Sequence, residues 1–246
     1  MGFPNISTIG SWTPGQGIDR DPEYFNDFQT AFYCPNLGLP GESNPAAEFS
    51  EVADRGVWLV TRDAAPTIVV EDAAAGGILR ITTGSSAADF CSCQMNGQPW
   101  VVASNKDIYF CCRMAVDDAD DTRWFIGLAA ADVSGSTLGP ILDGVSESLG
   151  FRQTVATGVD IFALTEDGNN ETTTDTGIDM ANDTFVELAF WVQSNSRVLY
   201  YVNGNLKATH ATNIPNGDDL TLTMEVQSPT ASSQLRVDYL FCAQAR

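Results

Sequence analysis

From Gly56 onward the chain reads in period two. In "TFVELAFWVQ", Val186, Leu188, Phe190 and Val192 share one parity, and Phe185, Glu187, Ala189 and Trp191 the other. "LTLTMEVQ" sets Leu220, Leu222, Met224 and Val226 against threonines and Glu225. In "LRVDYLF", Leu235, Val237, Tyr239 and Phe241 alternate with Arg236, Asp238 and Leu240. Such alternation marks strands with one face buried. "RVLYYVNGNLKATH" places Val198, Tyr200 and Val202 on one side and Leu199 and Tyr201 on the other. It then turns at Asn203-Gly204, a pair suited to the positive φ angles of a type I′ hairpin. About a dozen short strands follow one another with turn signals between them and no long helical period. That pattern predicts an all-β fold, a two-sheet antiparallel jelly-roll sandwich. "DDADDTR" (117–123), "EDGNNETTTDTG" (166–177) and "NIPNGDD" (213–219) read as acidic or small-residue loops.

The first 48 residues have another texture. They are rich in Pro, Gly and Asn, which disfavours regular strands. They also carry Phe3, Trp12, Tyr24, Phe25, Phe28 and Phe32, more aromatics than a disordered tail holds. The expected organisation is an extended aromatic-containing arm over 1–48 and a sandwich domain over 49–246. Such an arm packs on its own domain or on a neighbouring copy, and Phe3, Trp12, Tyr24, Phe25 and Phe28 are the candidate subunit contacts.

Charge narrows the choice of partners. With 32 acidic and 12 basic residues the net charge is −20, and Lys106 and Lys207 are the only lysines. Such a surface repels phosphate backbones and anionic bilayers, so neither nucleic acid nor membrane is an expected partner. No apolar run approaches the roughly 20 residues of a membrane span, and no secretory signal pattern opens the chain. The six cysteines, 34, 91, 93, 111, 112 and 242, read as small buried hydrophobes of a protein made in a reducing cytoplasm, with a disulfide or a metal site as the alternatives.

Catalytic constellations are missing from the sequence. Retaining glucanases of sandwich fold carry Glu-x-Asp-x-Glu on one strand, because two carboxylates must flank the scissile bond. Here Glu187, Glu225 and Asp238 stand isolated. His210 is the single histidine, at an expected exposed strand end, and no Gly-x-Ser-x-Gly elbow accompanies it. No catalytic residue is therefore assigned, and no enzyme activity is expected. Asp117, Asp118, Asp120 and Asp121 offer the oxygen ligands calcium prefers, without the spacing of an EF-hand. The reading is a charged loop, with calcium as the alternative and no other cofactor or metal expected. A sugar site needs an aromatic platform with amide or carboxylate neighbours, and Trp100, Trp124 and Trp191 are the candidates.

Several segments carry a resemblance. They are Phe125-Ile126-Gly127-Leu128, Gly150-Phe151-Arg152, Tyr201-Val202-Asn203-Gly204, Asn213-Ile214-Pro215 and Val237-Asp238-Tyr239. In this order, over roughly 56–246, they resemble concanavalin A-like (LamG-like) jelly-roll domains, in particular those of tailed-bacteriophage head decoration proteins. The resemblance implies a virion structural protein on the capsid surface, made in the host cytoplasm. It would cement the major capsid protein and other copies of itself, as a homotrimer. The alternative it leaves open is a lectin-like module that holds a glycan; a glycoside hydrolase is disfavoured by the missing acid pair.

Overall fold

Each alternating strand has one apolar face to bury, and two sheets stacked face to face bury both sets at once. The computed structural model describes residues 28–34, 49–50, 58–62, 66–71, 78–131, 147–154, 158–168, 170–230 and 232–245; at 28–34, 49–50 and Val70 it describes the backbone alone. Strands are numbered along the chain. Sheet A runs, edge to edge, β15 (Asn205–His210), β14 (Arg197–Val202), β13 (Val186–Gln193), β8 (Ile108–Val116), β17 (Gln234–Ala245), β5 (Ile78–Thr82) and β4 (Thr67–Glu71). β1 (Phe28–Cys34) pairs with the C-terminal half of β17. Sheet B runs β12 (Asn170–Asp179), β11 (Asp160–Asp167), β10 (Ser148–Gln153), β9 (Arg123–Ala130), β16 (Asp219–Gln227), β6 (Phe90–Met95), β3 (Trp58–Arg62) and β2 (Phe49–Ser50). β7 (Trp100–Val101) lies beside β16. The short β2–β3 contact is parallel, and the other strand pairs are antiparallel. This is the expected jelly-roll sandwich.

The core forms where the alternation predicts it. Val186, Leu188, Phe190 and Val192 of sheet A meet Leu220, Leu222, Met224 and Val226 of sheet B in one cluster. Phe110 stacks on Phe190, with ring centroids 4.6 Å apart, and Tyr200 meets Phe151 edge-on. The Tyr200 hydroxyl donates to the Leu164 carbonyl, so the phenol enters the core without an unpaired oxygen. The hairpin turns at Asn203 (φ 49) and Gly204 (φ 75), as its sequence predicts. Gly204→Val should lower stability by roughly 1–2 kcal/mol, the cost of a branched side chain in the left-handed region. Urea unfolding checks it.

Four expectations change. A strand, β1, forms within the arm: "FQTAFYC" itself lacks Pro and Gly, and the end of β17 offers it a free ladder edge. "NETTTDTGID", expected as loop, is the ten-residue strand β12, because its threonines are β-branched and suit a pleated edge. In β17 a register shift between Val237 and Tyr239 reverses the faces. Leu240 and Cys242 therefore join Leu235 and Val237 in the core, while Tyr239 and Phe241 turn outward. His210 is buried rather than exposed. Its Nδ1 lies 3.0 Å from Thr165 Oγ1 and its Nε2 3.0 Å from Thr174 Oγ1. Strand β15 of sheet A is thereby tied to β11 and β12 of sheet B.

The five described cysteines are free and buried, as expected of small hydrophobes. Cys91 and Cys93 lie on sheet B, with sulfurs 3.9 Å apart, away from Cys111, Cys112 and Cys242 on sheet A.

Candidate functional site on the outer face of sheet A

The outward parity of β8, β13, β14 and the reversed end of β17 builds three rungs across sheet A. The first is Ala243, Tyr109, Trp191 and Leu199. The second is Phe241, Cys111, Ala189 and Tyr201. The third is Tyr239, Arg113 and Glu187. The middle rung has two short side chains at its centre, Cys111 and Ala189, with Phe241 and Tyr201 at its ends. Leu199, Tyr239 and Phe241 pack against Cys111, Ala189 and Tyr201. The small residues make a hollow in the sheet that the flanking rings fill, leaving Cys111, Ala189 and Tyr201 buried.

Trp191 stands at the rim, half-buried, its ring stacked on Tyr109 at 5.3 Å and 17°. Its Nε1–H donates to Asp107 Oδ2 at 3.0 Å. The Ser194 amide donates to the other oxygen of Asp107 at 2.9 Å. The carboxylate therefore fixes the indole in place. Across the hollow, the Tyr239 hydroxyl donates to Glu187 Oε2 at 3.1 Å. Arg113 pairs with Asp238 at 2.5 Å, and its guanidinium lies 4.3 Å above the Phe185 ring. Burial, then the Glu187 charge, pushes the Cys111 thiol up to about 12. Burial raises Tyr201, with Arg197 opposing. Burial, followed by the Cys111, Glu187 and Cys112 groups, raises Tyr239 well above the usual phenol. These groups stay protonated near neutrality, which leaves rings, hydroxyls and carboxylate oxygens on this face.

Of the three platform candidates, only Trp191 lies on an outward face. Trp100 and Trp124 are 0% exposed, on inward positions of β7 and β9. Trp124 Nε1 donates to Gln153 Oε1 at 2.9 Å inside the sandwich. Neither can meet a sugar. The candidate calcium ligands serve as turn acceptors: Asp117 Oδ1 takes the Gln234 amide at 2.7 Å, and Asp118 Oδ1 takes the Asp120 amide at 3.1 Å. Asp121 accepts from the Thr230 hydroxyl. Among the described residues, no three His, Cys, Asp or Glu side chains converge as a metal site would need. Phe3, Trp12, Tyr24 and Phe25 lie outside the described residues. Phe28 is described as backbone only, paired with Ala245.

The outer face of sheet B is polar but closed. Gln94 bonds the Ala130 carbonyl and the Thr223 hydroxyl, both at 3.0 Å, and Arg123 donates to Gln227. Glu225, expected as a solvated strand acid, is fully buried, as are Thr221 and Thr223. On sheet A, by contrast, Tyr109, Trp191, Tyr239 and Phe241 are half-buried. The sequence search missed Tyr109, Tyr239 and Phe241. Tyr109 sits on the outward parity of "DIYFCCRMAV" and was legible there; the other two depend on the bulge.

No family model matches the chain, and no curated protein matches it. Its fold is similar to three solved structures. The metal-free Emp46p carbohydrate recognition domain superposes with a TM-score of 0.57 at 7% identity, over 86% of this chain and 95% of that one. A protein of unknown function from Shewanella oneidensis MR-1 gives 0.57 at 11% identity, over 95% and 97%. An endo-beta-1,4-glucuronan lyase from the fungus Trichoderma reesei gives 0.53 at 9% identity, over 87% and 94%. At these identities the likeness concerns fold: an all-β sandwich of the concanavalin A-like jelly-roll class.

Proposed function

We propose that this chain is a lectin-like carbohydrate-binding module that holds a glycan against the outer face of sheet A without cleaving it. The observation that carries the reading is the outward ring pair Trp191 and Tyr109 beside the Asp107 carboxylate, with Tyr239 and Glu187 two rungs further along the same face. Flat apolar sugar faces stack on rings, and sugar hydroxyls donate to carboxylate oxygens. The likeness to a carbohydrate recognition domain and to a polysaccharide lyase supports it at the level of fold. Capsid decoration, the other expectation, has no such support: none of the structures named above is described as a virion component. Binding without cleavage fits the chemistry of the hollow, whose phenols and thiol are held protonated, with His210 turned into the core.

The test is calorimetric titration of the folded protein with oligosaccharides selected on a glycan array. Trp191→Ala should weaken binding at least tenfold, roughly the 1.4 kcal/mol or more that a stacked ring contributes. Thr173→Ala on β12 of the other sheet, at an exposed position, should leave it unchanged. Wild-type affinity in a folded Trp191→Ala protein would remove this face from consideration.

A further inference from the structure

We infer that Cys91 and Cys93, with the Met224 thioether beside them, form a site for a soft metal ion, Cu(I), on the inner face of sheet B. Residues two apart on a strand share a face, and both thiols of β6 belong to the core, free and 0% exposed. Their sulfurs lie 3.9 Å apart, one thiol donating to the other. Cys93 stands directly opposite Met224 of β16. Met95 follows on the same parity of β6 and packs against the core cluster that holds the other three. Thiolate and thioether sulfurs are the donors that select Cu(I) over harder ions.

Spacing separates this site from the other fates of a thiol pair. A disulfide needs Cβ atoms about 3.8 Å apart, whereas two residues along a strand span about 6.6 Å. Closing that bond would buckle β6 between β3 and β16. Metal–thiolate bonds of about 2.3 Å set two sulfurs about 4.6 Å apart in a linear complex, about 4.0 Å in a trigonal one and about 3.8 Å in a tetrahedral one. The 3.9 Å between Cys91 and Cys93 falls at the last two, so the pair suits an ion that takes one or two further donors. Met224 is in register to supply one. The neighbours Val60 and Val226 offer no oxygen or nitrogen, which disfavours a hard ion.

The Cys91 hydrogen bond, then burial, pushes the Cys93 thiol well above its ordinary value, with the Cys91 and Glu225 charges adding to the rise. Binding therefore competes with protons. Two S–H bonds break, two Cu–S bonds form, both protons leave to solvent and no electron is transferred. Cys91 lies opposite the exposed Arg62 at the end of β3, so local opening of that strand end admits the ion.

The experiment titrates the intact, reduced chain with Cu(I) under anaerobic conditions, against a chromophoric Cu(I) chelator. One equivalent should bind and raise the melting temperature. X-ray absorption should show sulfur alone around the copper, at about 2.3 Å. Affinity should climb by up to about a hundredfold per pH unit, the mark of two released protons. Met224→Leu, which conserves volume, should weaken binding about tenfold, and Cys93→Ala roughly a hundredfold or more. Cys242→Ala, which removes a buried thiol of the other sheet, should leave it unchanged. Failure of the intact chain to compete with the chelator would overturn the inference. So would nitrogen or oxygen around the copper, or an affinity that Met224→Leu leaves untouched in a protein of unchanged melting temperature.

Discussion

Gly127→Val is expected to destabilise the sandwich by more than about 3 kcal/mol. Gly127 of β9 and Gly150 of β10 sit directly opposite each other on adjacent strands. A Cβ placed on Gly127 would lie 2.4 Å from the Leu149 carbonyl oxygen and 2.7 Å from the Gly150 Cα. One placed on Gly150 would lie 2.5 Å from the Ile126 oxygen and 3.1 Å from Phe125 Cε2. Most of these obstacles are backbone, so no rotamer change relieves them; the two strands must part. β9 also pairs with β16, and parting it from β10 strains that ladder in turn. The close approach makes room for the Phe125 ring, which reaches over Gly150 and clusters with Ala129 and Leu164. An aromatic lying across a glycine on the neighbouring strand shields backbone that would otherwise face water.

Urea unfolding should rank the glycines by contact rather than by backbone angle. Gly127→Ala should cost on the order of 2 kcal/mol. Gly97→Ala, at φ 93 with nothing within 4 Å of its Cβ, should cost about 1 kcal/mol through strain alone. Equal losses at the two positions would mean that β9 and β10 do not approach this closely in solution.

How much of this was legible follows from what alternation can report. Period two separates the two faces of a strand, so β13, β14 and β16 were readable residue by residue. It does not say which face turns inward when both are apolar. "RWFIGLAA" buries Trp124 on one side and Phe125 on the other, and this is why Trp124 could be mistaken for a platform. A bulge breaks the period where it occurs, and β17 has no Gly or Pro at 238 to announce one. Trp191 was visible as an outward residue, but its neighbour Tyr109 comes from a strand about eighty positions earlier. Only the β8–β13 register brings the two rings together. The hollow is thus a property of strand order, which one sequence does not display.

His210 and Glu166 are expected to tilt stability with pH in opposite directions, and removing either should expose the other. Burial lowers the His210 imidazole from its ordinary 6.5 to about 4. Between those values the unfolded chain takes up a proton that the folded one refuses. The stability owed to a neutral His210 is therefore complete above 6.5 and lost as pH falls through about 4. That gap corresponds to roughly 3 kcal/mol.

Glu166, on the adjacent residue to Thr165, behaves inversely. Burial, with the Glu171 and Glu147 charges, raises its carboxyl from 4.5 to about 7, against the Ser148 hydrogen bond and Arg152. The folded chain keeps a proton that the unfolded chain releases, so this contribution is complete below 4.5 and lost as pH rises through about 7. Over pH 4.5–6.5 the two slopes oppose each other, and the intact protein should vary little on their account. Urea unfolding of His210→Gln, which offers a donor and an acceptor to the same two threonines, isolates the first. The stability difference between the intact protein and this variant should shrink by roughly 3 kcal/mol from pH 7 to pH 4. For Glu166→Gln the difference should instead fall as pH rises from 4.5 to 7. A His210 difference that stays flat over that range would mean the imidazole titrates alike in both states, and that β15 is not closed onto β11 and β12 around a neutral ring.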